Sequence, residues 1–323
     1  MLSITHRALH TIAILVLTLT QAGCLLEGGP EGPSTEELVT LHYENALRFQ
    51  EMGELDRALD QAQRGLEADP EDRKLRLLTG WILLRRESRV NLATAETIFR
   101  KLRGEKDYRV DLGLATCLER KGVLYDEAAR GGSAKHKKEA QRAWKEAVSL
   151  YAMVLEDQAG DREALNGLMR THALLGQDAE SLDASGRLIA SVEEHTGFWR
   201  GQLTEDISAS REAQIRGWLS GNSRLMTKTH LHRASILRRL DRSPEAIDEL
   251  HAVIELDPAI PEVHSRLAQQ LFELERYGEA RKAIDRYLAL SDDAFDDPNY
   301  QRAWELRNDA EAALRESGAS TQR

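Results

Sequence analysis

The sequence predicts an all-α protein, a helical solenoid of about seven helix pairs followed by one C-terminal capping helix. Three observations support this fold class. The segment from Lys228 to Leu290 matches itself at an offset of 34 residues, as in the pair His230 and His264. Apolar residues recur there at helical spacing, and only 7 prolines occur in 323 residues. A period of this length is typical of a helical unit that buries its apolar face by stacking on copies of itself.

The first element is a predicted signal peptide over residues 1–23. Arg7 lies near the terminus, an apolar run occupies Thr11–Thr20, and Ala22-Gly23-Cys24 follows. The run is too short to cross about 30 Å of hydrocarbon as a helix, but it has the length of the apolar region of an export signal. A transmembrane anchor is therefore disfavoured.

The residues before Cys24 resemble the lipobox of bacterial lipoproteins, except that Gln21 stands where that family usually has leucine. The resemblance implies acylation of Cys24, with palmitate among the attached chains, and removal of the signal peptide. Two acyl chains on one residue suffice for stable anchoring. Leu25, rather than aspartate, implies the outer membrane facing the periplasm. An ordinary secretory signal and a cytosolic start remain alternatives.

A flexible tether is predicted over residues 24–36, which are rich in glycine, proline and glutamate. Ser34 and Glu37 have the spacing of a capping box, in which each side chain bonds the backbone of the other residue. The first helix of the solenoid is therefore expected to begin here.

The repeat occupies residues 37–296. Within Thr227–Pro258, two amphipathic helices are separated by a turn near Asp241, and the first unit carries Gly53 at its turn and Asp69-Pro70 at its end. One small-residue position of the first helix recurs along the chain; it is occupied by Ala46, Gly80, Ala115, Met169, Ala234 and Ala268. This pattern resembles the tetratricopeptide repeat (TPR) family over roughly Glu37 to Ser317, which implies a right-handed α-solenoid.

Two irregular segments interrupt the period. An insertion is predicted at about 123–142, and a degenerate helix pair at about 194–226, with Gly201 and Ala213 in its two small positions and Trp199 and Trp218 in its core. Residues 297–317 are predicted to form one further amphipathic helix, a capping helix whose charged outer face is what a solenoid cap needs. Residues 318–323 are predicted to be a disordered tail.

Composition and motifs exclude several function classes. The net charge is −10, and removal of residues 1–23, which contain Arg7 and no acid, makes it −11; an acidic body argues against nucleic acid and against broad adhesion to anionic lipid. Phosphate-binding loops, zinc-protease motifs and nucleophile elbows are absent from the sequence. We therefore predict no catalytic residue, no cofactor and no metal. His42, His230 and His264 share one repeat position, which favours a packing role.

The TPR resemblance implies a protein-binding groove lined by the first helix of each unit. An acidic or carboxylate-terminated peptide would suit the basic residues among the expected lining, although ordinary solvated helix faces are the alternative. The candidate groove residues are Tyr43, Gln50, Lys74, Trp81, Arg85, Asn166, Arg170, Lys228, Arg238, Arg239, Gln269 and Phe272.

The function predicted from the sequence is that of a membrane-tethered scaffold that binds protein or peptide partners in the bacterial cell envelope, without catalysis. One alternative is an enzyme or a ligand carrier with a site near the degenerate fifth unit, where Glu193, Glu194 and His195 adjoin the two tryptophans. A closed pocket with a perturbed carboxylate would favour it. A cytosolic TPR adaptor is the other alternative, if the signal peptide is misread.

Overall fold

The computed structural model describes residues 32–86, 88–104, 106–204, 207–292 and 295–320. The predicted signal peptide, Cys24 and most of the tether lie outside the described residues. Within these ranges the chain forms 13 helices and no strand. This confirms the predicted fold class, an all-α helical-repeat solenoid.

The helices follow one another in short steps. In chain order they are α1 Thr35–Glu51, α2 Leu55–Ala68, α3 Arg73–Arg85, α4 Arg89–Leu102, α5 Tyr108–Ala129, α6 Ala134–Asp157, α7 Arg162–Leu174, α8 Asp178–Gly201, α9 Ala209–Arg239, α10 Ser243–Leu256, α11 Pro261–Glu273, α12 Tyr277–Leu290 and α13 Pro298–Ser320.

The chain divides into two compact units, the first ending at Thr79 and the second beginning at Gly80, so that the boundary falls within α3. In the first unit, α1 begins with the predicted capping box: Ser34 Oγ accepts from the Glu37 N–H at 3.2 Å, and Glu37 Oε2 accepts from the Ser34 N–H at 2.7 Å. The helix therefore starts within the last residues assigned to the tether. Ala46 and Ala58, both fully buried, lie in α1 and α2, which pack against each other.

In the second unit, consecutive helices pack against each other, and the small positions of the repeat are buried. Gly80 illustrates the reason, because a Cβ there would lie 2.9 Å from the ring of Phe99 in α4. Ala115, Ala234 and Ala268 are likewise at most 3% exposed. Close approach of the paired helices requires a small side chain at these points.

Four turns of the repeat share one backbone motif. Gly53, Gly176, Asp241 and Glu275 have φ values of 78°, 72°, 57° and 60°. In each turn, the N–H of the following residue reaches the carbonyl five positions back, as from Arg242 to Leu237 at 2.9 Å. This is the Schellman arrangement, which satisfies the last carbonyls of a helix.

The described residues contain six successive helix pairs followed by α13, where the sequence predicts about seven pairs. The difference lies at 194–226, which does not form a helix pair of its own. α8 continues to Gly201 and α9 begins at Ala209. These two long helices pack against each other. Ser208 caps α9 there, and glycines inside the long helices do not interrupt them.

The predicted small positions and core tryptophans of that segment are therefore wrong. Gly201 ends α8 and a Cβ there would meet nothing within 4 Å, while Ala213 is exposed. Trp199 and Trp218 are half-buried, and their rings pack on each other with centroids 4.1 Å apart. They form a surface cluster between α8 and α9 instead of a repeat core.

The predicted insertion at 123–142 lengthens a helix pair. α5 and α6 run on past the usual repeat length and are joined at Arg130–Ser133, where Gly132 has a φ of 90°.

At the end of the chain, α13 packs on α12 through Ala303 and Ala310 and continues past the predicted end at Ser317 to Ser320. No helix in the described part of the chain is both long and apolar enough to cross a bilayer.

Candidate functional site

Helix α7 carries two of the predicted groove residues one turn apart. Its N-terminus is fixed by Asp161, whose Oδ1 accepts from the Ala164 N–H at 2.7 Å. The buried side of the helix includes Leu165 and Met169. Asn166 and Arg170 therefore lie away from the core, since residues four apart share a helix face. Each of them lines a separate cavity.

A buried carboxylate holds Arg170 in place. The Glu119 side chain on α5 is 7% exposed, and its two oxygens accept from Arg170 Nε at 2.7 Å and Nη2 at 2.9 Å. The Tyr151 hydroxyl on α6 donates to Glu119 Oε2 at 2.8 Å. Burial, and then the charge of Glu119, raise the pKa of Tyr151, which keeps its proton for this bond. Three helices thus share one polar network.

The first cavity, which we name the arginine pocket, has a volume of about 410 Å³. It lies between α3, α5 and α7, the first helices of three successive pairs, and the start of α4. Arg120 is fixed here because its Nη1 donates to the Leu84 carbonyl at 2.7 Å. The lining combines an apolar surface with three guanidinium groups and is formed by Leu84, Ser88, Arg89, Leu92, Glu119, Arg120, Val123, Leu124 and Arg170.

The chemistry of the arginine pocket suits an anionic group next to an apolar side chain. Guanidinium groups bind carboxylates through charge-assisted, often bidentate hydrogen bonds. Arg170 is 43% exposed although it is bonded to Glu119, and Arg89 is exposed. Leucine side chains at the same site would cover an apolar group.

The second cavity, the α7–α9 cleft, has a volume of about 800 Å³ and opens to solvent. Asn222 of α9 is central to it: its Oδ1 accepts from Arg162 Nη1 at 2.7 Å, and its Nδ2 donates to Thr196 Oγ1 at 2.9 Å. The lining comprises residues 157–163, Asn166, His195, Gly217, Trp218, Gly221, Asn222 and Leu225.

Two titratable groups of the cleft are shifted towards their neutral forms. Burial, and then the nearby Arg162, lower the pKa of His195. Trp199 Nε1 donates to His195 Nε2 at 2.8 Å. Burial, and then the charge of Asp161, raise the pKa of Glu163. The cleft is nonetheless open to solvent. It therefore differs from the closed pocket that would favour an enzyme or a ligand carrier at the fifth unit.

The predicted groove residues fall into two groups. Trp81 and Phe272 are half-buried and pack against Phe99 and Tyr277, with ring centroids 5.6 Å and 5.2 Å apart. Half-buried positions also include Tyr43, Gln50 and Asn166, whereas the exposed ones are Lys74, Arg85, Arg170, Lys228, Arg238, Arg239 and Gln269. Of the twelve, the arginine pocket contains Arg170 and the cleft contains Asn166.

Sequence reasoning missed Glu119, Arg89 and Arg120. Glu119 follows Leu118 and occupies a buried position of α5, so a charge within an apolar helix face was the available signal. Arg89 comes from the second helix of its pair, which the expected groove did not include.

The three histidines at one repeat position serve packing. His42 Nδ1 lies 2.9 Å from Gln61 Oε1, and His230 Nδ1 lies 2.6 Å from Glu249 Oε2, with partners at equivalent positions of the second helix. His264 Nε2 instead lies 3.0 Å from the Pro258 carbonyl.

Among the described residues, no group of three or more histidine, cysteine or acidic side chains could hold a metal ion.

Two family models match parts of the chain. Residues 43–108 match a tetratricopeptide repeat, and residues 167–308 match the bacterial transcriptional activator domain. No curated protein matches the sequence.

Similar solved structures include other helical-repeat proteins. A thermophilic TPR protein of Thermus thermophilus has 14% identity and a TM-score of 0.46, with 72% of this chain and 99% of that chain covered. The S. pombe nuclear import adaptor Nro1 has 13% identity and a TM-score of 0.48, with coverages of 84% and 99%. A double mutant of MamA RS-1 has 14% identity and a TM-score of 0.47, with coverages of 68% and 94%.

Proposed function

We propose that this tetratricopeptide-repeat protein is a scaffold, anchored in the bacterial cell envelope through lipid on Cys24, which holds a protein partner at the arginine pocket. The arginine pocket carries the proposal, because three guanidinium groups surround an apolar surface in a chain whose net charge is −10. The helical-repeat fold suggests protein–protein interaction in general. The anchor, the location and the occupant of the pocket are proposed in addition.

The partner is expected to be a peptide segment that carries a carboxylate and a leucine-sized apolar side chain. A volume of about 410 Å³ accommodates a few side chains rather than a folded domain. The carboxylate would bond Arg89 and the exposed side of Arg170, while the apolar side chain would cover Val123 and Leu124, which are half-buried. Arg170 needs little reorganisation to bind because Glu119 already fixes it.

The anchor follows from the lipobox-like residues before Cys24. Acylation there would attach chains that hold the mature protein at a membrane. The residues between Cys24 and the first helix at Thr35 would then separate the helical body from the bilayer. Outer-membrane placement facing the periplasm is part of the same proposal.

Mass spectrometry of the protein isolated from cell membranes tests the anchor. A lipid-modified Cys24 at the mature N-terminus is expected, and Cys24→Ser should release the protein into the soluble fraction. An unmodified chain that retains Met1 would contradict the proposal and would support the alternative function of a cytosolic adaptor.

A photocrosslinking amino acid at position 124, where Leu124 is half-buried in the pocket lining, tests the pocket. The expected result is a reproducible crosslinked partner, which is lost when Arg89→Ala and Arg170→Ala are combined. The same amino acid at position 41, where Leu41 is 52% exposed, provides the control. Equal capture at both positions, or capture that survives the double substitution, would rule out the arginine pocket as the binding site.

A second candidate function is regulatory. It is favoured by the match of residues 167–308 to the bacterial transcriptional activator domain. In that case the helical body would act in the cytosol as a protein-interaction module of gene regulation. The location of the chain decides between the two, since a lipid-modified Cys24 excludes a cytosolic regulator.

A further inference from the structure

We propose that the outer face of α6 contacts the headgroups of anionic phospholipids. The surface consists of Lys135, Lys138, Arg142 and Lys145, which we name the basic stripe. This inference rests on the proposed lipid anchor only in so far as the anchor keeps the body near a bilayer. It concerns the second helix of a pair, away from the arginine pocket.

The four cations lie on one side of their helix. At about 100° per residue, positions 135, 138, 142 and 145 fall within a sector of roughly 80°, and the stripe runs about 15 Å along the helix axis. The buried residues of this stretch of α6 lie on the opposite side and are Ala140, Ala143, Trp144 and Ala147. All four cations are exposed, so the stripe points away from the packed helices.

No carboxylate in the described structure is paired with the stripe: Glu139, one turn from Lys135 and Arg142, is half-buried and forms no ion pair with either. None of its four cations lies within 4.0 Å of a carboxylate there, whereas nearby cations are paired, as Lys121 is with Glu96 at 2.8 Å. Glu146, the acid that follows Lys145, is bound by Arg100 at 3.0 Å. Arg130 and Lys137 add two further exposed, unpaired cations at the adjacent turn. A local positive surface therefore exists on a chain of net charge −10.

The helix pair that carries the stripe is held rigidly. Trp144 Nε1 donates to the Glu119 carbonyl at 3.2 Å, and Gly122 leaves room for the indole, since a Cβ there would lie 2.3 Å from Trp144 Nε1. Near the turn, the rings of Tyr125 and His136 stack with an angle of 11° between their planes. The helix that carries the cations is therefore already ordered, so binding should cost little backbone conformational entropy.

Headgroups fit this surface better than a folded protein does. The centre of a protein interface is usually apolar, with lysine depleted, whereas the stripe presents four exposed cations on one side of a helix. Cations close to an anionic bilayer each contribute about 1 kcal/mol to attraction, and this field decays within about 8 Å at physiological salt. The acidic remainder of the chain would be repelled, which confines contact to the stripe.

Vesicle flotation tests the proposal with the mature chain from residue 24, carrying Cys24→Ser so that no lipid anchor contributes. Vesicles of phosphatidylcholine alone are compared with vesicles that contain phosphatidylglycerol. The stripe variant combines Lys135→Gln, Lys138→Gln, Arg142→Gln and Lys145→Gln. The matched control changes four exposed, unpaired cations elsewhere, with Arg224→Gln, Arg266→Gln, Lys282→Gln and Arg286→Gln. Thermal unfolding followed by circular dichroism checks that both variants are folded.

The parent chain and the control variant are expected to float with the anionic vesicles only, and to be released at about 0.5 M salt as screening increases. At about 5-fold per cation, neutralising all four cations should weaken binding by up to about 600-fold. Equal binding by the folded stripe variant would overturn the proposal. So would stripe-dependent capture of an acidic protein or duplex DNA without any binding to anionic vesicles. Either result leaves acylation of Cys24, and hence the proposed anchor, a separate question.

Discussion

The Tyr151 hydroxyl donates to Glu119 Oε2 at 2.8 Å, inside the network that also positions Arg170. Tyr151 is 1% exposed, so water cannot replace it as a donor to Glu119 without rearrangement of the helices. This pair connects the packing of α5 and α6 with the wall of the arginine pocket.

Tyr151→Phe is therefore expected to lower the free energy of unfolding by about 1–2 kcal/mol, because a buried carboxylate loses one of its donors. Urea denaturation at neutral pH measures this change. Tyr277→Phe serves as the control, since Tyr277 is half-buried and packs through its ring against Phe272. A loss at Tyr151 no larger than that at Tyr277 would show that the hydroxyl contributes nothing to the network.

Gly167 provides space for the same tyrosine. A Cβ at position 167 would lie 2.2 Å from Tyr151 Cζ, which is shorter than any tolerated contact. Gly167→Ala should therefore cost about 1–3 kcal/mol through overpacking. Gly217→Ala is the matched helical control, because a Cβ there meets nothing within 4 Å, and it should stabilise the helix by up to about 1 kcal/mol. Thermal unfolding of the two variants should shift in opposite directions.

The regular part of the fold could be predicted from the sequence because the repeat specifies the same packing several times. Ala234 and Ala268 occupy equivalent buried positions, and one period therefore predicts both. The segment at 194–226 could not be predicted in this way. A merged helix such as α9 keeps helical spacing throughout, so periodicity alone does not show whether a turn interrupts it.

The candidate site was harder to predict than the fold. The repeat position predicts Arg170, but the pocket beside it also depends on Arg89 from a second helix and on the pairing of Glu119 across helices. Contacts between residues 51 positions apart, such as Glu119 and Arg170, leave no local pattern in one sequence. The basic stripe, in contrast, could be identified from the sequence alone, since its four cations have the spacing of one helix face.

The repeat turns at Asp241 and Glu275 adopt positive φ values that glycine adopts without strain. Glu275→Gly should raise the free energy of unfolding by about 0.5–1 kcal/mol, since a bulky residue in the left-handed region costs roughly 1 kcal/mol or more. Asp241→Gly should stabilise the chain less, because aspartate tolerates this region better. Gly176→Ala, at the equivalent turn, should destabilise it. Urea midpoints check all three, and stabilisation by Gly176→Ala would contradict the argument.

Glu249 should contribute to acid sensitivity. Burial acts to raise its pKa, but hydrogen bonds from His230 and Arg233 outweigh burial and lower it below the usual value. A group whose pKa is lowered in the folded state stabilises the protein above its unfolded pKa, and this contribution is lost as the pH falls through the folded pKa. Stability of the parent chain should thus fall more steeply below about pH 4.5 than that of Glu249→Gln. Glu180→Gln, at an exposed position, should leave the profile unchanged. Parallel profiles for the parent chain and Glu249→Gln in urea titrations would refute the linkage.

Cys117 is expected to be chemically inert in the folded protein. Burial, and then the charge of Glu96, raise the pKa of its thiol to about 12, so almost no thiolate exists at neutral pH, and the side chain is 0% exposed. In the mature chain with Cys24→Ser, a thiol reagent should react with Cys117 only at the rate of unfolding, and immediately in denaturant. An added cysteine at the exposed position Ser149 calibrates the rate of an accessible thiol. Fast reaction of Cys117 under native conditions would mean that α5 opens locally, and that the network around Glu119 is less firmly packed than the structure indicates.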